Sequence, residues 1–322
     1  RYMLSAQLSY DITDWLNISG RVRVDNTHTK YEQKLYASSN LTITEESTQG
    51  HYTISKPDET QTYADVLANI NKRFNDFSLV ANVGASIVNN RYEDLSYRGP
   101  IREKGIPNVF NVFDLDNTKK KARQDEWQEQ TQSIFASVEV GWKSMLYLTL
   151  TGRNDWASQL ANSSTPCFFY PSVGLSGVIS EMLTLPEFID YMKVRGSFSS
   201  VGMPYPRNLT SPTYEYDEAN QQWKPKTHYP IKDLKPERTN SWELGLDMRL
   251  FKDFSLGFSW YLANTFNQTF DPKVSVSSGY SKIYLQTGYV RNSGVELSLG
   301  YGHTWNNHLH WESTVSYTHL TL

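Results

Sequence analysis

Three histidines, His303, His308 and His310, fall within one short stretch. In an extended chain His308 and His310 point to the same side, so two imidazoles could share a metal ion. Glu312 is the only carboxylate beside them and no cysteine completes the set, so a solvated turn fits better than a metal site. Asp114-Leu115-Asp116-Asn117 alternates oxygen ligands as calcium loops do, but lacks their glycine and distal glutamate, and reads as a polar loop. Lys119, Lys120, Lys121 and Arg123 are balanced by Asp125, Glu126 and Glu129, which describes a solvated loop rather than a nucleic-acid patch. No Gly-x-Ser-x-Gly elbow and no Gly-rich phosphate loop occur, and Ser/His/Asp spacing assembles no triad. The expectation is therefore a protein that is not an enzyme and needs no cofactor or metal.

Binding chemistry is better represented. Residues 203–237 hold Tyr205, Tyr214, Tyr216, Trp223 and Tyr229 among Pro, Asn, Gln and Glu. Aromatic faces backed by polar groups stack on sugars or hold a protein partner, because they offer large contact area at low entropic cost. Packing of the segment on itself would explain the same composition. Asp155 beside Trp156 offers a further contact pair, which local hydrogen bonding explains equally well.

The elements that would position these residues are strands. The chain of 322 residues is 39% hydrophobic with tyrosine counted, yet 14% aromatic, with 20% charged residues, net charge −3 and the single cysteine Cys167. High aromatic content argues against disorder. The absence of any apolar run of ~18 residues excludes membrane-spanning helices, the net charge gives no pull toward nucleic acid, and one cysteine excludes a disulfide framework. Period-two alternation recurs along the chain. Leu16, Ile18, Gly20, Val22 and Val24 oppose Asn17, Ser19, Arg21, Arg23 and Asp25; Ile134, Ala136, Val138, Val140 and Trp142 oppose Ser137 and Glu139; Trp242, Leu244, Leu246, Met248 and Leu250 oppose Glu243, Asp247 and Arg249. Such alternation places one apolar and one polar face on each strand. About twelve strands are expected: 2–10, 15–25, 60–73, 77–92, 129–143, 145–155, 170–181, 191–202, 238–251, 254–269, 288–301 and 308–317. A helical turn is expected within 181–191.

Connections alternate between short turns (11–14, 75–76, 143–144, 252–253, 305–307) and long polar segments (26–59, 93–128, 156–169, 203–237, 271–287). Segment 182–190 occupies a short-turn place. This is the layout of an antiparallel transmembrane β-barrel with short periplasmic turns and long extracellular loops. The apolar face then meets outer-membrane lipid, and Arg21, Arg23, Glu139, Arg153, Arg195, Glu243, Asp247, Arg249 and Glu296 face a wet lumen, since an arginine at the lipid midplane costs ~2–4 kcal/mol. Trp15, Trp142, Phe251, Phe254, Trp305 and Trp311 lie where interfacial girdles belong. A soluble β-sandwich would use the same alternation to bury a core.

Several segments together resemble one family. Leu234-Lys235-Pro236-Glu237-Arg238-Thr239-Asn240-Ser241-Trp242-Glu243-Leu244-Gly245-Leu246-Asp247 is similar to a strand start of SusC/RagA-like TonB-dependent outer-membrane transporters. Leu150 to Trp156, Tyr170 to Ser176, Met192 to Gly202 and Val290 to Leu297 follow in the family's order, so the resemblance spans about residues 130–300. It implies the barrel of an active importer of oligosaccharides, or less often peptides, in the outer membrane of a Gram-negative bacterium. It also implies energy from the TonB complex, help from a SusD-like surface lipoprotein, and an N-terminal plug inside a 22-stranded barrel. The chain shows neither plug nor TonB-contacting segment, so residues 1–314 are expected to be a barrel fragment with further strands on both sides. Val315 to Leu322 match the translation of a transposon-type sequencing adapter and are expected to be foreign to the protein. A passive porin or barrel adhesin without energy coupling is the alternative. A barrel enzyme would need a nucleophile beside a base, and none stands out.

Overall fold

The computed structural model describes the chain apart from residues 210–213, 218–220, 226–227, 230–233, 276, 278–281, 306–308 and 322. Among the described residues the strands are, in order, β1 Tyr2–Thr13, β2 Leu16–His28, β3 Tyr31–Leu35, β4 His51–Ser55, β5 Asp58–Phe74, β6 Phe77–Pro100, β7 Lys121–Trp142, β8 Leu146–Ala157 and β9 Cys167–Val178. They continue as β10 Ile189–Met203, β11 Tyr214–Asp217, β12 Gln222–Pro225, β13 His228–Tyr229, β14 Glu237–Leu250, β15 Phe254–Phe270, β16 Lys282–Ile283, β17 Leu285–Trp305 and β18 Leu309–Thr321. One antiparallel path joins twelve of them, β1-β2-β5-β6-β7-β8-β9-β10-β14-β15-β17-β18, with β1 and β18 at its two ends. These are the twelve strands that alternation predicts. Period two is a local signal, and antiparallel neighbours in sequence become neighbours in space.

The two faces separate as the pattern requires. On one, Arg21 stands opposite Asp65, Arg153 opposite Phe135 and Tyr170, and Glu243 opposite Ser197 and Tyr261. On the other, Leu148 stands opposite Val140 and Leu175, Phe198 opposite Trp242, and Leu244 opposite Trp260. Most large apolar side chains of this second face are exposed, Leu150, Leu175, Trp242 and Leu244 among them, so the sheet buries no apolar core there. A water-soluble sandwich would bury that surface. At the short-turn end Trp15 and Trp142 carry Lys72 and Lys143 ammonium groups over their rings at 4.7 and 5.3 Å, an arrangement suited to an interface between hydrocarbon and water.

Two differences from the sequence reading stand out. The helical turn, α1 Ile179–Met182, begins before the expected span, and residues 183–188 are not helical. The long connections 26–59 and 93–128 are not plain loops. β6 and β7 run 24 and 22 residues, far past the ~9–11 a membrane span needs, and β3 pairs with β4, which in turn pairs with the far end of β6. This lobe has its own buried centre of Thr44, Tyr52, Ile101 and Leu115. Its strands are polar on both faces for long stretches, so no lipid-facing alternation marks them. The Asp114 carboxylate within it accepts from Arg102 at 2.8 Å and from the Asn111 side-chain amide, while the Asn111 side-chain oxygen caps the turn by accepting from the Asp114 backbone amide; Asp116 accepts from the Thr118 amide and hydroxyl, so both carboxylates have structural partners.

The lobe contains a buried imidazole. His51 has Glu45 Oε1 3.6 Å from Nε2, while its Nδ1 is buried without a hydrogen-bond partner. Burial lowers the His51 pKa below its usual value, with Glu45 opposing the shift and Arg98 adding to it. Beside it, burial and the Glu32 carboxylate push the Tyr52 hydroxyl up to about 12. An imidazole that resists protonation when folded but accepts a proton when exposed favours opening in acid. The His51 contribution is therefore complete above pH ~6.5 and is lost as pH falls from there toward the folded pKa. Amides of residues 44–52 are expected to exchange faster at about pH 5.5 than at about pH 7.5 after correction for intrinsic rates. His51→Gln should flatten the difference; an equal difference in that variant would assign it elsewhere.

Candidate functional site

Two arginine centres organise the charged face. Arg195, on β10, reaches across β14 to β15. Its Nη1 donates to Asp247 at 2.8 Å, its Nε and Nη2 to Glu243 at 3.4 and 3.3 Å, and Nη2 to Ser259 Oγ at 2.9 Å. Gly245 lies under the side chain. A Cβ there would stand 2.6 Å from Arg195 Nε and 2.7 Å from Cζ, so the glycine of the Trp242-Glu243-Leu244-Gly245 segment is what lets the guanidinium lie flat across the sheet. Glu296 stands opposite Ser259 and Arg249 opposite Ser255, on the same face and exposed. Fixed side chains of both signs thus line this surface, with room for water among them.

The second centre lies nearer the long loops. Arg153 Nε donates to Asp155 Oδ1 at 2.8 Å and Nη2 to Ser133 Oγ at 2.8 Å. The Tyr170 hydroxyl donates to Asp155 Oδ2, and the Phe135 ring lies 5.4 Å from the guanidinium. Asp155 is buried and both its oxygens are engaged, so it serves the wall rather than a ligand. Trp156, the next residue along the strand, points to the opposite face and is exposed.

The loop aromatics divide. Tyr205 is 4% exposed and packs with Ala157, Leu160, Phe168, Leu209 and Leu234 in a cluster that ties the loop bases together, so it offers no face to a ligand. The alternation around it carries no mark of this, because its cover comes from Leu234, far along the chain. Arg207 fastens the same segment to β7, with its guanidinium 4.1 Å above the Trp127 ring and bonded to Glu129 at 3.1 Å. Beyond it β11 and β12 form a hairpin in which Tyr216 pairs with Trp223. Those rings meet edge to face at 5.4 Å, Trp223 is 69% exposed, and Tyr214 is also exposed. The Tyr229 backbone pairs in parallel with β16, and its side chain lies outside the described residues, as does His308. His303 binds Asp253 at 2.7 Å and His310 binds Thr304 at 2.9 Å. Among the described residues no three metal-ligating side chains converge.

A sheet with one charged face, one apolar exposed face, short turns at one end and an aromatic hairpin at the other defines the wall of a membrane barrel. The chain belongs to the TonB dependent receptor-like β-barrel family, whose pattern it matches over residues 1–321. It is 24% identical over 214 residues to TonB-dependent receptor P26 of Formosa agariphila, covering 64% of this chain and 22% of that protein. It is 23% identical over 267 residues to TonB-dependent receptor P39 of the same organism, covering 78% and 25%. The chain thus spans about a quarter of the length of these curated relatives. The structure of the RagAB peptide transporter superposes with a TM-score of 0.80 at 16% identity, over 99% of this chain and 36% of that one. The copper transporter OprC gives 0.60 at 15% identity, over 99% and 45%. The chain thus shares its fold with the RagAB barrel, and barrels of the family it belongs to lie in the outer membrane of Gram-negative bacteria.

Proposed function

We propose that this chain is the barrel wall of a TonB-dependent importer of oligosaccharides or peptides, working with a SusD-like surface lipoprotein and with the TonB complex through parts outside this chain. The observation that carries the reading is the family match over residues 1–321. The charged face built around Arg153 and Arg195 supports it, since a hydrated wall of fixed charges lets polar cargo pass without desolvation. No bond is made or broken in this reading. The exposed Tyr214, Tyr216 and Trp223 are the contact for ligand or partner. Residues 1–314 are the receptor's own barrel segment and 315–322 a foreign tail, one whose residues 315–321 extend β18 and fall inside the matched span; native coding sequence through and beyond 322 would remove that part.

In the complete receptor, Tyr216→Ala with Trp223→Ala is expected to weaken ligand binding or partner docking about 10–100-fold, the effect of losing an aromatic anchor pair. Unchanged binding of both would assign the hairpin to self-packing. Uptake by intact cells should stop when TonB is deleted. Uptake that continues would point to a passive porin.

A further inference from the structure

The apolar face carries a feature that import does not call for. On the outward side of β9, β10, β14 and β15 a shallow groove of about 500 Å³ runs past Gly196, walled by Leu175, Phe198, Trp242, Leu244 and Trp260. Its floor is low because position 196 has no side chain; a Cβ there would stand 3.2 Å from the tip of Leu244 and 3.9 Å from the Glu243 carbonyl oxygen. Phe198 and Trp242 close one end with ring centroids 4.6 Å apart. The groove faces hydrocarbon, where neither water nor a polar ligand can fill it.

Toward the extracellular end of the same face stand two arginines. Arg238 shares the outward parity of Trp242 on β14, and Arg291, opposite Asn264, shares that of Val295 on β17. Both are exposed. Arg238 Nη2 donates to the Phe169 carbonyl at 2.9 Å, and neither guanidinium has a carboxylate within ion-pair distance among the described residues. Arg91, outward on β6, is by contrast neutralised by Glu93 and by Glu126. Asn240, Asn264 and the Tyr289 hydroxyl, which donates to Asn264 at 2.9 Å, lie between the arginines and the groove or beside them. A pair of uncompensated cations at the outer interface above an apolar slot is the complement of a lipid bearing phosphate.

We propose that this face binds one molecule of the phosphorylated glycolipid of the outer leaflet, lipopolysaccharide, with an acyl chain in the Gly196 groove and phosphate at Arg238 and Arg291. The extracellular placement favours the glycolipid over glycerophospholipid, because the long-loop end of the strands carries both arginines.

The test uses the full-length receptor extracted from its own outer membrane, with folding checked by heat-modifiable gel mobility. Retained 3-hydroxy fatty acids report lipopolysaccharide and glycerol-linked phosphate reports phospholipid. Arg238→Gln with Arg291→Gln is expected to lower retained lipopolysaccharide about tenfold or more, and Gly196→Leu about threefold. Arg238→Lys with Arg291→Lys should stay near the parent. Retention at the parent level in the folded Gln pair, or retention of glycerophospholipid alone, would overturn the proposal. Should the Gln pair not fold, the parent receptor in nanodiscs decides: a higher melting temperature with lipopolysaccharide than with phospholipid alone supports the site, and equal temperatures refute it. Neither readout depends on import.

Discussion

Replacing Asp155 by leucine should destabilise the complete receptor by ~2 kcal/mol, measured as a lower denaturant midpoint of the heat-modifiable folded form. The carboxylate is the common acceptor for Arg153 and Tyr170, and without it a guanidinium and a hydroxyl lose their partner together. Breaking a buried pair from one side costs ~3–5 kcal/mol. The smaller value is expected because the Arg153 side chain is 35% exposed and can recover part of its hydration. Tyr170→Phe removes one donor and leaves the ion pair, so its cost should be ~1 kcal/mol. The ordering is the informative part. If Tyr170→Phe proved as damaging as Asp155→Leu, the tyrosine ring rather than the carboxylate would be holding the wall.

Leu160→Ala should have an effect of comparable size but another character. Leu160 is fully buried where Ala157, Phe168, Leu209 and Leu234 meet, residues drawn from the two long connections 156–169 and 203–237. Deleting a buried leucine to alanine costs ~2–5 kcal/mol, according to how far the site collapses. The strands beneath are held by continuous ladders and do not depend on this cluster. The loss should therefore appear as local opening, with amides of 157–160, 205–209 and 234–237 exchanging about 30-fold faster or more while mid-strand amides of β8 and β9 stay protected. Loss of protection along whole strands would show that loops and barrel unfold as one unit. Unchanged exchange would show that the loop bases are held by Arg207 and its contacts with Trp127 and Glu129 instead.

The Asp155 and Leu160 cases mark a division in what residue order can tell. Strand identity follows from residues two apart, which any reader of the sequence sees. Leu146, Leu148 and Leu150 against Tyr147, Thr149 and Thr151 specify a two-faced strand without reference to anything distant. The charged face was legible on the same ground, and Arg153, Arg195, Glu243, Asp247, Arg249 and Glu296 do share it. What could not be read was partnership. Nothing near Arg195 announces that Gly245, fifty residues on, leaves the space its guanidinium occupies, or that Ser259 receives it.

The extracellular lobe was missed for a related reason. Where both strand faces meet water, alternation fades, and only the pairing of β4 with the far end of β6 makes these residues a folded unit. Tyr205 and Tyr216 look alike in sequence, as aromatic residues in one polar connection. One is covered by Leu234 and Leu209 and the other stands on an open hairpin. Sequence by itself determined the strands, their order and the sign of each face, because those depend on the short period of the extended chain. The tertiary structure alone decided which loop aromatics remain available and which charges are joined, because burial and hydrogen bonding are set by residues that meet only when the strands are side by side.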